Sequence, residues 1–237
     1  MKVRLLLILG AVLVVGAFAA TASAGAPYGL CPSSGTALSG TYKGLTITGN
    51  AYVDAGQTLT VNGPLTMAPG SCLEAFFASS VTIKGGVAVG TGAIFGLGYG
   101  PGTYRVDGGV VADHPDSLYI GGATINGGLI SIGGGDAARN FPIKDNTING
   151  GVDVEGWHGL WIGFLRNKVS GGMYLVNNSA ADPAHDPGSD SMEVADNTVS
   201  GTLSCLGNTP NAQLGDSGGG PNLVSGHALG ECAALVP

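Results

Sequence analysis

Acidic side chains and aromatic rings that could recognise a sugar lie close together at residues 153–161. Asp153 stands between two valines, so in a strand its carboxylate points outward while the valines point inward. Aromatic rings stack on the apolar face of a sugar, and carboxylates beside them accept hydrogen bonds from its hydroxyl groups. The residues predicted to bind a ligand in this way are Trp157, His158 and Trp161, beside the carboxylates of Asp153 and Glu155.

Two carboxylates can also catalyse, because a pair of them suffices to hydrolyse a glycosidic bond. Asp153 and Glu155 are therefore the acidic candidates for catalysis. Ordinary solvent-facing charge explains these two residues equally well. Packing in a core or an interface likewise explains the two tryptophans.

A second acidic group lies in residues 177–193, the longest interruption of the repeat described below. Carboxylate oxygens are the ligands that calcium prefers, so this segment is the candidate metal site. Its candidate ligands are Asp182, Asp186, Asp190 and Glu193. A solvated loop is the alternative, since the spacing matches no EF-hand. No cofactor is otherwise expected.

The elements that must position these residues follow a repeat that runs along most of the chain. Each copy contains a β-branched residue, any residue, Gly, a small residue and two aliphatic residues at alternate positions, as in TIKGGVAV at 82–89. Most copies begin 19 to 25 residues after the one before. The β-branched anchors are Ile47, Val61, Ile83, Val106, Ile125, Ile148, Val169, Val199 and Val224.

A single copy cannot bury its apolar face, but stacked copies bury a continuous core. Alternating aliphatic residues indicate short strands, and Gly, which accounts for 44 of 237 residues, disfavours helices. The sequence therefore predicts an all-β parallel β-helix of about eight or nine coils, spaced about 4.8 Å apart. An antiparallel sandwich or barrel is the alternative, because Gly-Gly joints also form hairpin turns.

Three copies begin with Asn, followed by Thr or Lys, a β-branched residue, any residue and Gly; they start at Asn146, Asn167 and Asn197. With these residues the chain resembles, over about residues 40–230, the right-handed parallel β-helix superfamily typified by pectate lyases. The resemblance implies a right-handed winding. It also implies that Asn, which tolerates the αL conformation, forms an internal ladder from coil to coil.

The resemblance implies an architecture more than an activity, because the same fold carries lyases, hydrolases, adhesins and inert scaffolds. The β-helix polygalacturonases have an Asp-Asp pair, a Gly-His-Gly and an Arg-Ile-Lys, none of which this sequence contains. We therefore expect a structural or carbohydrate-contacting protein without catalysis. The alternative is a polysaccharide lyase or glycoside hydrolase in a lateral groove formed by residues 140–195. In that case the resemblance implies a basic residue as the base, for which the candidates are Arg105, Arg139, Lys144, Arg166 and Lys168. Arg166 is the one we place with Asp153 and Glu155 as the catalytic candidates.

Residues 1–24 have the pattern of a secretory signal peptide, with a basic start, an apolar run and small residues at 22–24. Cleavage would remove two basic residues and change the formal net charge from −7 to −9. Such an acidic chain is a poor partner for nucleic acid, and no second apolar span follows that would hold it in a membrane. The expected location is extracellular, and the expected partner is a polysaccharide or a cell-surface glycan. The sequence leaves the oligomeric state open.

Four cysteines in an exported chain suggest two disulfides, for which three pairings exist. We expect Cys31–Cys72 and Cys205–Cys232, because two cysteines lie near each end of the mature chain. Each bridge would help to close one end of the β-helix, whose open end exposes unpaired strand edges. The predicted organisation is a signal peptide at 1–24, a cap or linker at 25–45 and one β-helix domain at 46–237.

Overall fold

The structure, a computed structural model, describes residues 29–181 and 191–237. The chain winds through three long sheets in a fixed order, from sheet 1 to sheet 2 to sheet 3 and back to sheet 1. Neighbouring strands within each sheet run parallel. The molecule is thus an all-β parallel solenoid of about eight turns, which confirms the predicted fold and excludes the antiparallel alternative.

The strand boundaries show how short each element is. Sheet 1 contains Thr36–Ala37, Asn50–Tyr52, Cys72–Phe76, Ile94–Gly98, Ser117–Gly121, Asn140–Lys144, Trp161–Leu165 and Met192–Ala195. Sheet 2 contains Gly40–Tyr42, Thr58–Val61, Ser80–Ile83, Thr103–Val106, Ala123–Ile125, Thr147–Ile148, Lys168–Val169, Thr198–Val199 and Leu223–Val224. Sheet 3 contains Leu45–Ile47, Leu65–Met67, Val87–Val89, Val110–Asp113, Leu129–Ile132, Val152–Glu155, Met173–Val176, Leu203–Leu206 and Ala228–Gly230. A small pair, His158–Gly159 with Ser179–Ala180, and a 3-10 helix, Glu231–Ala234, complete the fold.

The predicted anchors form one buried column inside sheet 2. From Val61 to Val199 they pair in register from turn to turn, and each is at most 2% exposed. The prediction was wrong for the first anchor, because Ile47 pairs with Met67 in sheet 3. Tyr42 takes the anchor position instead, opposite Val61. The motif at 46–53 spans the corner between sheets 3 and 1, whereas the other copies span the corner between sheets 2 and 3. Its sequence therefore matches the repeat although its strands belong to different sheets.

The Gly-Gly joints form the corner between sheets 2 and 3. A Cβ on Gly127 would lie 2.6 Å from the backbone nitrogen of Gly109, and one on Gly150 would lie 2.7 Å from that of Gly128. Close stacking of consecutive backbones therefore requires Gly here. From the second turn onward this corner has the same length, at 62–64, 84–86, 107–109, 126–128, 149–151, 170–172, 200–202 and 225–227. The corner between sheets 3 and 1 varies in length, from 48–49 to 177–191.

The predicted Asn ladder lies inside the corner between sheets 1 and 2. The Nδ2 of each Asn donates to the Oδ1 of the next, at 3.0 Å from Asn146 to Asn167 and 2.9 Å from Asn167 to Asn197. Asn222 adds a fourth member, 2.9 Å from Asn197. The αL conformation belongs to the residue before each of the three predicted ladder members, namely Asp145, Arg166 and Asp196, with φ 54–60°, which corrects the sequence-based expectation.

A second ladder, which the sequence analysis missed, lies inside the corner after sheet 3. Asn178 donates to Asn208 at 3.1 Å, and Asn208 donates to the Glu231 carboxylate at 2.8 Å. Glu231 also accepts from the backbone N–H of Asn208 at 2.9 Å. The acidic residue therefore ends this ladder at the C-terminal turn.

Both predicted disulfides are present, Cys31–Cys72 and Cys205–Cys232, with sequence separations of 41 and 27. They indicate a non-reducing compartment. At the N-terminal end, the buried Glu74 carboxylate accepts a hydrogen bond from the backbone N–H of Leu30 at 2.9 Å. The segment before the first strand thereby covers the outer face of sheet 1.

Two predictions concern the N-terminal part of the chain. The predicted signal peptide lies outside the described residues. Sheet 1 begins at Thr36 and sheet 2 at Gly40, within the segment 25–45 predicted as a cap or linker. In the part of the chain that the structure describes, no helix has the length and apolar character needed to cross a membrane.

Candidate functional site

The outer face of sheet 1 carries aromatic rings that lie across glycine residues. A Cβ on Gly121 would lie 2.9 Å from the Tyr99 ring, and a Cβ on Gly163 would meet the Trp161 ring even more closely. Gly at these outward positions therefore leaves space for each ring to lie on the backbone instead of standing away from it. Tyr99, Tyr119 and Trp161 remain partly exposed. We call these three rings the aromatic platform.

Hydrogen bonds fix the two tyrosines of the platform. The Tyr99 hydroxyl donates to the carbonyl oxygen of Pro142 at 2.9 Å, so this side chain extends across the strand between them. The Tyr119 hydroxyl accepts from the backbone N–H of Asn140 at 3.3 Å. Burial raises the pKa of both phenols, so they stay neutral over the physiological range.

Trp161 joins a basic and an acidic side chain at one end of the platform. Its indole Nε1–H donates to Oε1 of Glu193 at 3.1 Å, and Nζ of Lys144 lies 4.5 Å from the ring centroid. That geometry is a cation–π contact. Burial lowers the pKa of the Lys144 amine, and the nearby Glu193 carboxylate opposes part of that shift.

The Glu193 side chain is 1% exposed and lies beneath a segment that crosses sheet 1 after the last full strand. Gln213 forms a parallel bridge to Glu193, and a Cβ on Gly215 would overlap the Glu193 side chain. Gly at position 215 therefore lets the crossing segment close over the carboxylate. This cover keeps Glu193 in place as the acceptor for Trp161.

An ion pair flanks the platform at the corner between sheets 1 and 2. Arg166 donates two hydrogen bonds to Asp145, from Nε to Oδ1 at 2.6 Å and from Nη2 to Oδ2 at 2.9 Å. Both residues have positive φ, 57° for Arg166 and 60° for Asp145, which points successive side chains outward along the corner. The hydrogen bond to Asp145 raises the pKa of the guanidinium. Both side chains are largely exposed, so a ligand could contact either partner.

The arrangement is suited to binding a flat, polar ligand. The rings offer apolar surface with polar atoms at their edges, while Lys144, Asp145 and Arg166 offer charges beside them. Within residues 29–181 and 191–237, no three His, Cys, Asp or Glu side chains are grouped so that they could hold a metal ion.

The three predicted ligand-binding residues have very different positions. The Trp157 ring is fully buried, lies 5.1 Å from Phe141 between centroids and donates from Nε1 to the carbonyl oxygen of Asp116 at 3.2 Å. It is a core side chain that presents no surface to a ligand. His158 is exposed in the small strand pair, outside sheet 1. Only Trp161 belongs to the platform.

The three catalytic candidates do not meet. Asp153 and Glu155 are exposed on sheet 3, and Asp153 points outward between two buried valines as expected. Arg166 lies at the corner between sheets 1 and 2 and pairs with Asp145. The carboxylates and the arginine lie on different faces of the solenoid, so the predicted groove does not bring both carboxylates to the arginine.

The predicted calcium ligands Asp182, Asp186 and Asp190 lie outside the described residues. The fourth, Glu193, is the buried acceptor for Trp161.

The sequence analysis missed Tyr99 and Tyr119, whereas it named Lys144 only as a candidate base. One signal was available, because Tyr119 and Trp161 each stand two residues before a Gly, at Gly121 and Gly163, and period 2 places such pairs on one face of a strand. The reach of Tyr99 across a strand has no local signal.

Comparison with known proteins adds no relative to this picture: the chain matches no protein-family model, no curated protein and no solved structure.

Proposed function

We propose that this chain is a secreted β-helix protein that contacts carbohydrate through the aromatic platform on sheet 1. The observation that carries the proposal is the set of three partly exposed rings, two of which, Tyr99 and Trp161, lie across glycines, with charged side chains at their edge. Rings held in this way lose little conformational entropy when a ligand stacks on them. The platform crosses the strands from Ile94–Gly98 to Trp161–Leu165, so it suits an extended chain of sugars better than a single one.

Secretion and superfamily membership belong to the same proposal. The disulfides support an extracellular location, and the basic start and apolar run of residues 1–24 support export. The parallel solenoid and its Asn ladder support a place in the pectate-lyase-like superfamily, with the right-handed winding that parallel crossovers adopt. N-terminal sequencing of protein recovered from the culture medium is expected to begin at Gly25.

Binding to a panel of neutral and acidic polysaccharides, measured by isothermal titration calorimetry, tests the carbohydrate proposal. Trp161→Ala is expected to weaken binding about tenfold or more, because hot-spot aromatic residues dominate such contacts. Tyr174→Ala is the matched control, since Tyr174 is an exposed aromatic residue on sheet 3. Failure of every polysaccharide to bind, or equal losses in both variants, would refute the proposal.

A polysaccharide lyase or glycoside hydrolase remains a second candidate function because of one observation. Lys144, whose amine has a lowered pKa, lies on the same face as the carboxylates of Asp145 and Glu193. An amine of that kind is a better general base near neutral pH than an ordinary lysine. Incubation with the same panel, with and without calcium, would reveal new reducing ends or unsaturated products. Product formation that Lys144→Met abolishes would establish catalysis in place of simple binding.

A further inference from the structure

Sheet 3 presents an apolar outer face that the interior of the protein does not require. Of the eight large hydrophobic residues exposed among residues 29–181 and 191–237, six stand on this sheet. Their exposed fractions run from 39% to 52%, and they are Val111, Ile130, Ile132, Tyr174, Leu206 and Leu229. We call this surface the sheet 3 patch.

Register aligns the patch in two columns along the solenoid, which the strand Val152–Glu155 divides into two apolar halves. Val111 pairs with Ile130, and Ile132 lies two residues further along the same strand on the same face. Beyond the next strand, Tyr174 and Leu206 continue the two columns. Exposed apolar surface on this scale marks interaction sites in soluble proteins.

Strand formation alone does not explain these side chains. On sheet 2 the corresponding outward column is mostly Thr, for example Thr60, Thr82 and Thr124, and those strands pair equally well. Thr and the β-branched aliphatic residues are both good strand formers, so Thr would have satisfied sheet 3 as well. The chain instead exposes Val and Ile there at a cost in hydration.

Three carboxylates interrupt the patch, and one of them, Asp113, contacts a basic side chain, with Nδ1 of His114 lying 2.7 Å from its Oδ1. Asp153 and Glu155 stand side by side on the strand between Ile130 and Tyr174, and Asp113 ends a neighbouring strand. No Lys or Arg occurs on any strand of sheet 3 among the described residues. The patch is therefore apolar at both sides and negative across its middle.

The distribution of charge on the sheet 3 patch indicates which kind of molecule can bind there. A second copy packed face to face would set the Asp153 and Glu155 carboxylates against like charges or against apolar side chains, and both arrangements are costly. Anionic lipid would meet the same repulsion. A cationic side chain flanked by aliphatic groups would instead pair with the carboxylates while its neighbours cover the isoleucines.

We propose that the sheet 3 patch docks a protein partner whose contact surface carries Lys or Arg between aliphatic side chains. The partner packs onto the face of the sheet, because the backbone groups of its inner strands already pair with neighbouring strands. This surface is separate from the aromatic platform, so binding here does not depend on carbohydrate.

Two synthetic amphipathic helical peptides of equal length test the proposal, one with leucines and lysines and one with leucines and glutamates. Fluorescence anisotropy with the secreted chain at physiological ionic strength is expected to show binding of the lysine peptide alone. The double variants Val111→Thr/Ile132→Thr and Asp153→Asn/Glu155→Gln should each weaken that binding about tenfold or more. Thr suits an exposed strand, so the first variant should fold normally, and far-UV circular dichroism checks this.

The control variant Asp196→Asn/Asp216→Asn removes the same number of charges from exposed positions away from sheet 3. Equal weakening in this control would show that net charge alone attracts the peptide, and the proposal would fall. The proposal would also be refuted if analytical sedimentation showed a dimer that the variant Val111→Thr/Ile132→Thr dissociates. The sheet 3 patch would then bind a second copy of this chain.

Discussion

The buried Asn ladder makes a graded prediction about stability. Asn167 is fully buried and accepts two hydrogen bonds from Asn146, one from its backbone N–H at 3.1 Å and one from its Nδ2 at 3.0 Å. Asn167→Ala leaves both donors buried without an acceptor. A buried donor without a partner costs about 1–3 kcal/mol, so the free energy of unfolding should fall by about 2–6 kcal/mol.

Two other variants calibrate that figure. Asn146 accepts from one donor only, the backbone N–H of Ala123 at 2.9 Å, so Asn146→Ala should cost about 1–3 kcal/mol. Asn149 is exposed and donates to Asn126 at 2.8 Å, and water can replace its hydrogen bond. Asn149→Ala should therefore cost at most about 1 kcal/mol.

Thermal unfolding followed by circular dichroism measures the series. A loss of about 4 kcal/mol corresponds to a fall in Tm of roughly 8–16 °C for a chain of this size. Urea unfolding of the same variants checks that the slope of the transition, and hence the unfolded state, is unchanged. If Asn167→Ala lowered Tm no more than Asn149→Ala does, hydrogen bonding along the ladder would not stabilise the fold as argued.

Three further predictions follow from other parts of the structure. Cys205→Ser opens a disulfide whose cysteines are 27 residues apart and should cost about 3–4 kcal/mol in urea unfolding, whereas an unchanged midpoint would show that the bridge is dispensable. Gly150→Ala should lower Tm by several degrees because its Cβ would meet Gly128, and a neutral effect would mean that the corner can widen. Lys144 should titrate below 10.5 in NMR of methylated lysines, and Trp161→Ala should return its pKa toward that value by exposing the amine; no difference from other lysines would contradict its burial.

The sequence predicted those parts of the fold that depend on periodic, local requirements. Gly at the corner between sheets 2 and 3 and Asn at the corner after sheet 1 recur because each stacks on the same residue of the next turn. Ile47 was misplaced because a short motif contains no information about which corner of the turn it spans. Contacts between equivalent residues of successive turns can therefore be predicted from the sequence, but the position of each motif within the turn cannot.

The candidate site was harder to predict because its contacts join distant turns. Trp157 and Trp161 are four residues apart and would share a face in a continuous strand, yet a corner between them places one ring in the core and the other outside. Tyr99 contacts Pro142, 43 residues away, through a side chain that extends over an intervening strand. No pattern within one repeat contains such a contact.

The unequal corners of the solenoid have a consequence for how this molecule can change. Where backbones touch at the glycine corner, one added residue would displace the turns on both sides, so its length is fixed by contact. The corner between sheets 3 and 1 ranges instead from two residues at 48–49 to fifteen at 177–191, although Gly134 and Gly135 also stack on the backbone of neighbouring turns. Evolution and protein engineering alike therefore have one corner per turn whose length can vary, and a peptide grafted at the exposed residues 136–138 would be displayed beyond the glycine contacts at 133–135.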